Sequence, residues 1–260
     1  MMFTAYRLEL FKLLRRPAAW VAYLCFLALT IVVLSAQRIG PQPHGHGFPD
    51  ALPAVLTGDA VLTSTFGIAL IVLMICAEFD WRTSRQNIID GLSKSQWFVG
   101  KVLLIPTVTI GLYLTRIAIG GIVALATSGL HTHVFDPTAT YILAACGVLL
   151  GMLCYASVAL LFCLTVRSTG PVLAIALIYQ VFDNITAAIL RGRRLEDIAQ
   201  WLPLQLQNAL GVYNRYLPHG SGAHNGLEGQ WQTPLLFLAA AAWVAVLVGV
   251  SYRIYMKRDL

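Results

Sequence analysis

Six apolar runs, each long enough to cross the roughly 30 Å hydrocarbon core of a bilayer at about 1.5 Å per residue, dominate this chain. They cover 18–36, 59–77, 102–127, 141–166, 171–190 and 234–251. Of the 260 residues, 58% are apolar and only 12% charged, with a mean hydropathy of +0.71, which excludes an ordinary soluble domain. The pattern predicts an all-α polytopic membrane protein, one transmembrane domain over 1–260. The net charge of +6 calls for no nucleic-acid partner, because loops on the cytoplasmic side of membrane proteins collect Lys and Arg. Cys25, Cys76, Cys146, Cys154 and Cys163 all fall inside apolar runs, none in a Cys-x-x-Cys spacing. They read as small buried hydrophobes rather than disulfide or zinc ligands.

Residues 1–17 place Arg7, Lys12, Arg15 and Arg16 on one side of a helical projection and Phe3, Tyr6, Leu10, Leu13 and Leu14 on the other. That suits an amphipathic helix in the membrane interface with its cations towards headgroups. Pro17 then fits the first turn of the next helix. A signal peptide is the alternative, from Leu-Ser-Ala at 34–36, but the long amphipathic lead-in argues against it. In the loop over 191–233, Leu195, Ile198, Leu202, Leu206 and Leu210 recur at helical spacing and predict short helices between the fifth and sixth spans. An even number of spans puts both termini on one side. Twelve cations, from Arg7 to Arg258, fall on that side, against Arg38, Arg191, Arg193, Arg194 and Arg215 opposite and Arg116 within a span. The termini, and the polar stretch 78–101, are therefore expected in the cytoplasm.

No Gly-x-x-x-x-Gly-Lys-Ser/Thr phosphate loop is present, so the chain is expected to have no ATPase site and no catalytic residues of its own. At membrane depth the charges are Arg116 and Asp183. They can pair with each other or each face a polar cavity, or Arg116 can snorkel to the outer headgroups. His44 and His46, like His131 and His133, form His-x-His pairs in the predicted external loops: weak metal candidates, with loop polarity as the plainer account. Gly147 and Gly151 offer a small-residue face for close helix packing. In 78–101, residues 83–91 suit a short helix ended by Gly91 in a left-handed conformation. Ser95 then caps the third span, with Trp97 and Phe98 at the interface and Lys101 snorkelling.

The order of a basic elbow, Arg-Arg-Pro, a second span ending in Glu78, then Arg82-Thr83-x-Arg85 and Gly100-Lys101 before the third span resembles the membrane subunits of ABC transporters of the type-2 exporter class. The likeness in layout covers nearly the whole chain, and its specific part is Glu78, Thr83, Arg85, Gly91, Ser93, Gly100 and Lys101; Arg82 stands where many members have Gly. The resemblance implies a permease in a bacterial inner membrane, dimeric with itself or a similar permease, with two ATPase subunits holding ATP and Mg. The 78–101 segment would be the coupling helix, with Glu78, Arg82, Thr83, Arg85, Asp90 and Gly91 as its coupling residues. Cargo would pass between the second and fifth spans of two protomers, with Thr63, Phe66, Tyr179, Phe182, Asp183 and Asn184 as pathway candidates. An apolar or amphipathic cargo (a drug, peptide antibiotic or lipid) is expected, since the spans hold few charges. Two alternatives stand: an ATP-driven scaffold assembling an external, metal-containing partner, suggested by the histidine pairs, and an ion-coupled secondary transporter. The latter usually needs intramembrane carboxylates and a repeat.

Overall fold

The computed structural model describes residues 2–39, 60–89, 91–128, 139–193, 195–210 and 232–257, and among them there is no strand. The helices are α1 (Met2–Arg15), α2 (Pro17–Ile39), α3 (Ala60–Asp80), α4 (Thr83–Ile89), α5 (Lys94–Ser128), α6 (Ala139–Val166), α7 (Thr169–Gly192), α8 (Glu196–Ala199), α9 (Gln205–Ala209) and α10 (Gln232–Lys257). Six of them, α2, α3, α5, α6, α7 and α10, are long and apolar enough to cross a membrane. The chain is thus an all-α polytopic membrane protein. Its helix ends differ from those expected. Helix α3 continues through Asp80 and α5 starts at Lys94, so the polar connection shrinks from 78–101 to the residues between them.

Helices α3 and α6 form the centre. In their apolar windows 67% and 72% of residues are buried, against 22% in each of α2, α7 and α10. The outer helices turn Val21, Leu24, Ile178, Val181, Leu238 and Val246 outwards, which is stable only where the surroundings are hydrocarbon. Cys76, Cys154 and Cys163 are buried as expected, but Cys25 is exposed on the outward face of α2, and Cys146 is exposed near the start of α6. Pro106 sits inside α5 and removes one donor from its ladder.

The short helices predicted within 195–210 are α8 and α9, separated by a turn through Pro203. Leu204, Gln205, Leu206, Gln207 and Leu210 are all buried, so α9 folds back into the bundle against α6, α7 and α10. Irregular backbone is tolerated at membrane depth when protein surrounds it. The small-residue face of α6 is what admits it. A Cβ on Gly151 would lie 2.6 Å from Gln207 Cα, and one on Gly147 2.7 Å from the Leu210 carbonyl oxygen. The glycines therefore receive a re-entrant segment rather than another span. Gly151→Ala is expected to destabilise the protein by about 1–3 kcal/mol through overpacking. Gly249→Ala, whose Cβ would meet nothing within 4 Å, should be neutral or stabilising by up to ~1 kcal/mol. Thermal unfolding of the two variants in the same detergent checks the contrast.

Candidate functional site

Helix α3 ends badly for its own electrostatics. Glu78 and Asp80 occupy its last turn, where the helix macrodipole is already negative, and that turn holds no basic residue. Both carboxylates are compensated from other helices. Glu78 is completely buried. Its Oε1 accepts from Lys12 Nζ of α1 at 2.7 Å and lies 2.8 Å from Lys101 Nζ of α5, with Arg16 Nη2 at 4.0 Å. Its Oε2 accepts from the Trp97 indole at 2.9 Å. Lys101 also donates to Glu9, which in turn accepts from Lys12 at 3.1 Å. Two carboxylates and three cations from α1, α3 and α5 thus close one buried cluster, and Arg16 Nη1 reaches the Leu73 and Met74 carbonyls at 3.2 Å each.

Asp80 faces the other way. Its Oδ2 accepts from the Thr169 backbone N–H at 3.1 Å and from the Thr169 hydroxyl, capping the start of α7. An aromatic layer completes this end: Trp97 stacks on Tyr255 of α10 at 4.8 Å, and Phe79 meets Trp97 edge-on at 5.6 Å. Trp97 and Phe98 are therefore interior residues, not interface anchors, and Lys101 does not snorkel. The cations of α1 and of the link after it also divide: Lys12 and Arg16 turn inwards, leaving Arg7 and Arg15 exposed.

Between these fixed roots α4 lies at the edge of the bundle, with Ser84 buried and Gln86 and Ile89 exposed. Arg82 turns the chain into it at φ 55°, and the Thr83 hydroxyl donates back to the Glu78 carbonyl at 3.4 Å. At the far side Gly91 N–H bonds the Ile88 carbonyl and Leu92 N–H the Asn87 carbonyl, both at 3.1 Å, with Gly91 at φ 102°. That is a Schellman stop, in which the expected glycine takes the left-handed position. Ser93, not Ser95, caps α5: the Gln96 N–H donates to its hydroxyl at 3.2 Å, and Gln96 Oε1 accepts from Ser93 N–H at 3.1 Å, a capping box. Trp81 and Ile89, 66% and 70% exposed, leave an apolar tip on the segment. Arg85 belongs to α4, though its side chain lies outside what the structure describes; Asp90, and every histidine including His44, His46, His131 and His133, lie outside the described residues.

The pathway candidates do not share one surface. Thr63 and Asp183 are buried, Phe66 packs on Phe26 at 5.6 Å, and Tyr179 lies against Phe162 at 5.9 Å, all inside the protomer. Phe182, 65% exposed, and Asn184 are on the outer face of α7. Asp183 is not paired with Arg116. Its Oδ2 accepts from Gln205 Nε2 of α9 at 2.8 Å, and the same nitrogen reaches Asn184 Oδ1 at 3.2 Å. Arg116 is 2% exposed, inside the bundle rather than snorkelling. Nearby, Ser64 donates to Gln207 Oε1 at 2.7 Å, so α9 is hydrogen-bonded to both α3 and α7.

A family described as proteins of unknown function, DUF2705, matches residues 45–260. The chain belongs to that family. No curated protein of known function matches it. Within the DUF2705 match lie Glu78, Trp97 and Lys101, whereas Glu9, Lys12 and Arg16 precede it.

Sequence reasoning singled out Glu78 and Lys101 but missed Glu9, Lys12, Arg16 and Trp97 as their partners, and Asp80 as the cap of α7. One signal was available: two carboxylates ending an apolar helix that has no base of its own imply cations arriving from elsewhere. Lys101→Met should cost about 3–5 kcal/mol, because it leaves two buried carboxylates short of a cation. Adding Glu9→Leu should recover most of that loss, since a buried pair replaced by apolar groups is often neutral. Unfolding midpoints of the single and double variants measure it.

Proposed function

We propose that this chain is the membrane subunit of an ATP-driven exporter of the ABC type-2 class, moving an apolar or amphipathic cargo and containing no ATPase site of its own. It works as a dimer, with itself or a similar permease, in a bacterial inner membrane with α4 and both termini in the cytoplasm. Two ATPase subunits supply ATP and Mg and seat α4.

The observation that carries this proposal is the way α4 is mounted. It is a short helix that turns Gln86 and Ile89 outwards and, with Trp81, leaves an apolar tip at an end rich in charge, the kind of patch that marks a protein contact. Its two roots, Glu78 and Lys101, are in direct contact inside the bundle. A push on α4 is therefore delivered to α3, α5 and α1 together instead of being absorbed at a loose hinge. Such a lever is of use to a chain that takes its energy from a separate motor. The apolar outer face of α7, with Phe182 and Asn184 on it, supports a cargo surface between protomers that binds mainly through hydrocarbon contact.

Co-expression with the ATPase of the adjacent reading frame tests it. Wild-type protein should co-purify with that ATPase and export in an ATP-dependent way. Ile89→Asp should weaken the association by roughly tenfold or more, about 1.4 kcal/mol, while leaving the unfolding midpoint unchanged. Absence of any association in the wild type, or transport that continues without ATP, would sink the proposal.

A further inference from the structure

A groove of about 300 Å³ opens on the side of the bundle, at the level where α1 meets the spans. Leu13 and Leu14 of α1, Trp20 and Tyr23 of α2, Leu70 of α3 and Leu112 of α5 line it, with Gly111 on its wall. Its polar neighbours are already served. The Trp20 indole donates to the Leu14 carbonyl at 2.7 Å, and the Tyr6 hydroxyl is paired with Thr107 Oγ1 at 2.7 Å. Nothing in the groove asks for a hydrogen bond, so what fills it is apolar there.

Charge surrounds the groove on one side only. Arg7, Phe11 and Leu14 are spaced by four and three residues and so share a stripe of α1, with Arg15 folded over Phe11 at 4.4 Å. Leu14 puts that stripe on the groove. Glu9 is the only carboxylate of α1, and it is buried in the Glu78 cluster. Among the described residues no carboxylate lies within 4 Å of Arg7 or Arg15, both exposed. An apolar slot beside two unopposed arginines matches an acyl chain below a negatively charged headgroup.

We infer that the groove between α1, α2, α3 and α5 holds one acyl chain of an anionic phospholipid, whose phosphate is met by Arg7 and Arg15. Apolar fit alone selects little here, because the surrounding lipid tails are as apolar as the groove. Selection therefore comes from the headgroup, at about fivefold for each arginine near the surface. The site belongs to this chain by itself and does not depend on an ATPase.

The experiment uses the full chain in phosphatidylcholine nanodiscs, titrated with phosphatidylglycerol or phosphatidylcholine carrying brominated acyl chains. Quenching of Trp20 is read as the difference between wild type and Trp20→Phe. Wild type should reach half-quenching at an anionic fraction roughly 25-fold below the zwitterionic one. Arg7→Gln with Arg15→Gln should bring the two lipids to parity. Gly111→Phe should remove the quenching with the unfolding midpoint preserved, because Gly111 lines the groove and a Cβ there meets nothing within 4 Å. Equal quenching by both lipids in wild type would overturn the inference, as would a preference surviving loss of both arginines or quenching surviving in folded Gly111→Phe.

Discussion

Everything at the α4 end of the bundle depends on the burial of one carboxylate. Glu78 has no access to water, and the last turn of its own helix adds a negative field to it. Moving such an ion out of water costs several kcal/mol even after relaxation, so the fold is possible only if cations are brought to it. Lys12 and Lys101 approach to 2.7 and 2.8 Å, and Trp97 donates to its second oxygen. Those three requirements dictate where α1 crosses, where α5 must begin and why Trp97 is interior. The α4 segment is then the strap left over between two helices whose ends are already locked.

At the opposite end the same problem is met mostly with neutral groups. Asp183 takes Gln205 as its partner, Ser64 donates to Gln207, and α9 is pressed against α6 where two glycines leave room. Asp183 lies nine residues before the end of α7, roughly 13 Å along the helix axis. The re-entrant segment thus seals well below its own end of the bundle. Helix α3 contributes to both arrangements, through Ser64 at one end and Glu78 at the other. Helix α3 carries both closures and α6 the second, and the outer helices α2, α7 and α10 turn most of their apolar surface outwards.

The spans were legible because 20-odd apolar residues in a row have only one use. So was the stop of α4 at Gly91, since only glycine reaches φ 102° cheaply. Contacts between distant segments were not. Lys12 and Glu78 are 66 residues apart, Glu9 and Lys101 92, and no periodicity connects them. Lys101 was misplaced because a lysine near a span end looks the same whether it snorkels or is buried in a pair. Gly147 and Gly151 announced close packing correctly, but a small-residue face does not say what approaches it. The same limit applies to Asp183: its charge was plain, yet pairing with Arg116, a polar cavity and a snorkelling Arg116 all stayed open, and Gln205 of α9 is the partner found.

An apolar joint of equal volume would hold α1 to α5 about as tightly as the charged one, since such replacements are often near neutral. What it would not do is fix the register. Apolar ridges slide past one another with small changes in energy, whereas moving α1 by one turn would strand Lys12 and Glu9 away from Glu78 and Lys101 and leave buried charges open. Under the proposed function, a helix pair transmitting displacement without slipping would gain from that penalty. The cluster thus favours a single alignment of α1, α3 and α5, and the proposed lever at α4 would need one.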